Sequence, residues 1–141
     1  MFRQTADHVI ATYDDENRWF DGSVIGLIPA EKSEYSLLYI LGLLNSKYFK
    51  WHYQKLVNEE ARVFAQVKLS KVKQLPIRII DFKNKGDKTI HNSIALLADK
   101  ILTAKKANPA ANTKTWEDEI DEKIFALYGL TKEEVEIIKA S

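Results

Sequence analysis

Residues 35–44, YSLLYILGLL, form an apolar run without a single charged side chain. On a helix such a run is hydrophobic nearly all round, so other elements must enclose it. It is far shorter than the roughly 20 residues that span a bilayer. The chain must therefore supply packing partners from within 141 residues, a length that suits one domain with a real core. Gly42 interrupts the run, where glycine costs a helix about 1 kcal/mol against alanine. Close packing of another backbone would account for it.

Ser33 or Ser36 is the expected cap of this helix, which is expected to continue to about Val57. Past the apolar run it becomes amphipathic. Leu44, Tyr48 and Trp51 share one stripe, with Phe49, Tyr53 and Leu56 beside it, while Lys47, Lys50 and Gln54 fall on the opposite side. Upstream, residues 2–13 and 18–29 are rich in β-formers and are separated by turn chemistry at residues 14–17, with Asp21-Gly22 as a second turn. They predict a small antiparallel sheet. Downstream, residues 63–69 read as extended, Ser70 as the cap of a helical turn, and residues 75–80 as a further strand, held to an edge by Pro76.

Residues 83–87 read as a loop, followed by a helix over 89–106 with Ile90, Ile94, Leu97 and Ile101 on its inner face. Residues 108–112 form a linker. Two more helices follow: Thr115 with Asp118 resembles a capping box, Gly129 ends the first helix, and Thr131 with Glu134 opens the second. The fold class is α+β: a small mixed or antiparallel sheet with a long buried helix, then a helical C-terminal half. Residues 1–86 are expected to form the α/β core and residues 87–141 the helical region, together one compact domain cut from a larger chain.

Catalytic constellations are scarce. The chain has no cysteine, which excludes disulfides, thiolate zinc sites and cysteine nucleophiles. His8, His52 and His91 lack metal-ligand spacing and read as surface or half-buried residues. Five glycines make no phosphate-binding loop. The acidic run at residues 117–122, with Lys123, has the residue types of a metal-dependent nuclease. The same carboxylates at a helix start are favoured by the helix dipole, which suffices to explain them. No metal site or catalytic residue is expected. The N-terminus lacks the apolar stretch of a secretory signal, so the expected location is the cytoplasm, with no membrane partner.

Charge is unevenly spread. Residues 1–46 hold three Lys/Arg against seven Asp/Glu, residues 47–88 eleven against four, and residues 89–141 seven against nine. The positive charge of the central segment lies on Lys47, Lys50, Lys55, Arg62, Lys68, Lys71, Lys73, Arg78, Lys83, Lys85 and Lys88. A basic stretch between acidic flanks has the signature of a phosphate-facing surface, although such runs commonly mean only a solvated face. The candidate phosphate contacts are Lys47, Lys50, Arg62, Lys68, Lys71, Lys73, Lys83 and Lys85. Gln66 and Gln54 are candidates for base or backbone contact. The interleaved Tyr48, Trp51 and Tyr53 fit a core better than a base-stacking platform.

Four segments carry a family resemblance. FRQTADHVIATYD resembles the opening of the TaqI-like C-terminal specificity domain of type IIG restriction–modification enzymes and related adenine methyltransferases. YSLLYILGLLNSKYFKWHYQKL resembles that family's LLNSK helix. VFAQVKLSKVKQLPI is similar to its FPQIKKSDLLELPIP stretch, and EIDEKIFALYGLTKEEVEII to its IDELVYELYGLTEEEI signature. The segments occur in family order. Ala65 replaces a frequent proline, and Ile77-Arg78 stands for Ile-Pro.

The resemblance implies a target-recognition domain that positions double-stranded DNA for a separate catalytic methyltransferase domain. That parent domain would flip out an adenine and methylate it from S-adenosylmethionine. The Asn-Pro-Pro-Tyr motif of that chemistry is absent here, so no cofactor is expected in this chain. The alternatives are a protein-docking module using the C-terminal helices and the linker at residues 107–114, and a stand-alone nuclease at residues 117–122.

Overall fold

The computed structural model describes residues 1–3, 6–57 and 66–141. They form six helices and one two-stranded antiparallel sheet: β1 (Phe2–Arg3), β2 (Val24–Ile25), α1 (Leu37–Leu44), α2 (Lys47–Val57), α3 (Leu69–Val72), α4 (Lys85–Ala107), α5 (Lys114–Leu127) and α6 (Lys132–Lys139). The sheet is where the β-rich N-terminus predicts it, but is only two residues deep. Phe2 pairs with Ile25 and Arg3 with Val24, and an isolated bridge joins Phe2 to Ala11. Among the described residues the rest of the expected strands extends no ladder, and turns interrupt it: Asp14 accepts from the Glu16 and Arg18 N–H groups, Asn17 takes a left-handed φ of 50°, and Asp21 accepts from the Ser23 N–H.

The apolar run is α1, and it is buried as its composition demands. Tyr39 and Leu43 are wholly inaccessible, and α4 is its most extensive packing partner. A Cβ on Gly42 would lie 2.7 Å from the Ile94 Cγ2, so the close neighbour is chiefly a side chain of α4, with the Ile94 carbonyl at 4.0 Å. Ser36 is the cap, its hydroxyl accepting from the Leu38 N–H. Its own N–H donates to the buried His91 Nε2 at 3.1 Å. A backbone amide can only donate, so the His91 ring proton is on Nδ1, facing the Asn92 side-chain oxygen. His91 also lies against the Tyr39 ring, with centroids 4.6 Å apart. It is a core histidine.

The single long helix expected to Val57 is in fact two, broken at Asn45 and Ser46. Tertiary partners make the break. The Asn45 amide clasps residue 11, accepting from the Ala11 N–H at 2.8 Å and donating to the Ala11 carbonyl at 2.9 Å. The Ser46 hydroxyl accepts from the Phe49 N–H, in the pattern of an N-cap. The Asp121 carboxylate of α5 then accepts from the Lys47 N–H at 2.9 Å. A helix start buried in the interior needs such acceptors for its amides.

Three other boundaries differ from expectation. Ser70 lies inside α3, with Lys68 at the cap position and no side-chain cap bond. α4 starts at Lys85, where a loop was expected, because the Asn84 side chain accepts from the Gly86 and Asp87 N–H groups. α5 starts after Thr113, so Thr115 is no cap; the buried Thr113 hydroxyl donates to Glu117. At the other end of α5, Gly129 takes φ 63°, its N–H and that of Leu130 return to the carbonyls of Ala126 and Phe125, and the chain turns into α6. Thr131 and Glu134 form the expected capping box.

An alanine at an exposed helical glycine gains about 1 kcal/mol. At Gly42 the added methyl meets an inaccessible β-branched side chain, and overpacking costs typically 1–3 kcal/mol. G42A should therefore lower stability in urea denaturation. A gain would show that α1 and α4 do not meet this closely.

Candidate nucleic-acid interface

Among the candidate cations, Lys47 is committed to the fold. Its ammonium lies 3.3 Å from Asp118 and 3.5 Å from Asp121. Burial opposes its charge, but the two carboxylates outweigh burial and hold its pKa above the ordinary lysine value. Lys50 is half-buried on α2, as is Gln54. Lys68 heads α3, Lys71 and Lys73 follow on that turn and at its C-cap, and Lys83 and Lys85 are exposed around the start of α4. Arg62 lies outside the described residues, as do residues 63–65 of the expected extended stretch. Gln66 is exposed.

Several cations outside this stretch are paired, although Arg3, Lys32, Lys100, Lys105 and Lys132 also have no carboxylate partner among the described residues. Arg18, Lys106, Lys114, Lys123 and Lys139 each have a carboxylate partner. Among the described residues, no carboxylate pairs with Lys50, Lys71, Lys73, Arg78, Lys83, Lys85 or Lys88. The two acids between residues 71 and 88 each accept from backbone: Asp81 from the Lys83 N–H and Asp87 from the Asp81 N–H.

The backbone of this stretch is held in an unexpected way. Residues 75–80, expected as a strand, form no ladder. A γ-turn on Pro76 joins the Ile77 N–H to the Leu75 carbonyl. Tyrosine hydroxyls from the helical side then replace a neighbouring strand. Tyr53 accepts from the Lys68 N–H at 3.0 Å. Tyr128 accepts from the Arg78 N–H at 3.0 Å and donates to the Pro76 carbonyl, and Tyr35 accepts from the Ile80 N–H at 2.8 Å. No sequence signal marks these tyrosines, since each also fits an ordinary apolar stripe. Tyr48 and Tyr53 are indeed buried, and Trp51 packs on Tyr48.

The acidic run is built into the packing. Asp118 pairs with Lys114 and Lys47, Glu119 with Lys123, and Glu122 with Lys139. Asp121 is buried beneath α2, and burial raises its pKa against the pull of the Lys47 N–H and ammonium. Asp118 and Asp121 line a cleft of about 640 Å³ between α1, α4 and α5. Among the described residues no group of three carboxylate or histidine side chains could hold a metal ion. His8 is bonded to Asp7; His52 is half-buried, and burial lowers its pKa.

Exposed apolar side chains are most numerous around the small sheet, with a smaller group, Leu69, Ile77 and Ile79, within the basic stretch. Trp19 is fully exposed and Ile28 is 88% exposed; both line a cleft of about 410 Å³ floored by Leu37, Ile40 and Leu41 of α1. The C-terminal helices expose Ile137, and α4 exposes Leu96.

Comparison with known proteins places the chain. The family model for the TaqI-like C-terminal specificity domain matches residues 1–77, more than half of the sequence. The chain belongs to that family. No curated protein and no solved structure matches it. The specificity domain has a DNA-recognition role in restriction–modification systems, and such domains are typically non-catalytic. No described helix of the specificity domain is long and apolar enough to cross a membrane. The match spans β1 through α3 and ends at Ile77. Several groups that bond to the matched part, among them His91, Asp118, Asp121 and Tyr128, lie beyond it.

The raised pKa of Asp121 has a definite sign in stability. The folded state holds the proton more tightly than the unfolded chain. The stability linked to this group is therefore full below the unfolded value of about 3.9 and is lost as pH rises through the raised folded value. D121N keeps an acceptor for the Lys47 N–H without the charge. Chemical denaturation at pH 4 and pH 7 should show the wild type losing stability relative to D121N as pH rises; a difference independent of pH would contradict the burial of a charged carboxylate.

Proposed function

We propose that this chain is the DNA sequence-recognition domain of a type IIG-like, adenine-specific DNA methyltransferase of the cytoplasm, positioning double-stranded DNA for a separate catalytic domain. The observation that carries this reading is the run of cations without carboxylate partners from α3 to the start of α4, in a member of a specificity-domain family. Lysines in such a run neutralise phosphates and release counterions on binding. Lys71 and Lys73 on α3 and at its C-cap and Lys83 and Lys85 around the α4 start take that role, with Lys50 on α2 and with Lys68 and Arg62 in the same basic segment. Gln66 and Gln54 are the base-edge or backbone contacts. S-adenosylmethionine would supply the methyl group in the catalytic domain; the residues of this chain hold, orient and present the duplex.

Residues 1–86 and 87–141 act as parts of one compact domain in this reading, because Ile94, Asp121 and Tyr128 of the second part bond to or pack on the first. A second reading, a docking surface for the catalytic domain, is favoured by the exposed Trp19 and Ile28. That surface lies at the small sheet, whereas the sequence alone points to the C-terminal helices for docking.

Titration of a fluorescent duplex should show an affinity that falls steeply with salt. Charge reversal at Lys71 and Lys73 should weaken binding and flatten the logarithmic salt slope by about one per lost phosphate contact. K132E, an exposed site at the start of α6, should change neither. Affinity indifferent to salt between low and physiological concentration would defeat the phosphate-facing reading.

A further inference from the structure

We infer that Arg78 is a DNA contact of this domain and that Tyr128 is the residue that positions it; the inference rests on the DNA-recognition reading above. Arg78 is exposed, has no carboxylate partner among the described residues, and lies midway along the cationic stretch. From residue 71 to residue 88 that stretch carries six Lys/Arg against two Asp, and both aspartates accept from backbone amides. The local field therefore favours a polyanion.

The backbone at Arg78 is fixed from both sides. On one side the Tyr128 hydroxyl takes the Arg78 N–H at 3.0 Å while donating to the Pro76 carbonyl. On the other, the Tyr35 hydroxyl takes the Ile80 N–H at 2.8 Å. Burial pushes the Tyr128 hydroxyl up to about 12, so it keeps its proton, and its donor role, at any pH used for binding. A guanidinium on a fixed backbone loses less freedom on binding than one on a free loop, and its planar fork matches a phosphate or a guanine edge.

The neighbours of Arg78 are out of place on an isolated surface. Ile77 is partly exposed and Ile79 is 80% exposed, with the arginine between them. Apolar side chains flanking a guanidinium suit the deoxyribose and thymine methyl groups that border a phosphate row. Arg78 and Tyr128 both lie beyond the family-matched residues, and Tyr128, at the end of α5, holds the contact rather than making it.

The test is anisotropy titration of a fluorescent mixed-sequence duplex with the full chain, at several salt concentrations. R78A should weaken binding about five- to tenfold and reduce the salt slope by about one, and R78K should recover most of the slope. Y128F should weaken binding about threefold with the fold intact, and Y128F/R78A should bind no more weakly than R78A, because the hydroxyl acts through the arginine. Wild-type affinity retained by R78A, in a chain that binds DNA, overturns the inference alone. Losses that multiply in the double variant overturn the positioning role. A wild type that binds no duplex overturns the DNA-recognition reading and this inference with it. If Y128F does not fold, R78A and R78K decide the contact by themselves.

Discussion

The approach of α1 to α4 is the constraint from which the rest of the domain follows. An all-round apolar helix must lose its water on every side, and Gly42 lets Ile94 come to a distance that no larger residue would permit. With α4 fixed against α1, the space left around α1 goes to the small sheet, to α5 and to the C-terminal end of α1 itself. At that end the chain has to change direction to let α2 pack separately. Ser46 and Asp121 accept from the amides that the break frees, and Asn45 ties the corner to residue 11. A buried carboxylate is a costly acceptor, tolerable here because it accepts a backbone N–H and lies near an ammonium.

Much of this is legible in the residue order, because much of it is local. The apolar run, the inner faces of α4 and α5, the Gly129 stop and the Thr131–Glu134 box depend on neighbours within a few residues. What is not legible depends on distant partners. Nothing near Asn45 says that its amide will meet residue 11, or that an aspartate in α5 will receive the Lys47 N–H. The start of α4 misleads for a different reason: Gly86 reads as loop chemistry, whereas Asn84 makes it the second residue of a helix. The β-rich opening has the composition of strands, but its backbone is spent on Asp14 and Asp21 turns rather than on a long ladder.

The candidate site divides the same way. Composition locates the basic segment, since charge survives folding unchanged in sequence. Pairing does not survive in that form. Lys47 looks like its neighbours in sequence yet spends its charge on Asp118 and Asp121, whereas Lys71 and Lys73 meet no carboxylate among the described residues. Arg78 is visible only as one more positive charge until the tyrosine that holds its backbone is known.

The tyrosine latches have a consequence for how such a surface can change over time. In a β-ladder, side chains alternate between faces, so inserting or deleting one residue turns the whole strand inside out. Residues 75–80 answer to no such alternation. They are fastened at Pro76, Arg78 and Ile80 by hydroxyls that reach backbone atoms and are indifferent to the side chains those residues carry. New side chains can be tried at positions 77, 78 and 79 with the latches intact and the core unaware of the trial. For the DNA contact proposed above, being tied down at points instead of woven into a sheet leaves positions 77, 78 and 79 open to substitution.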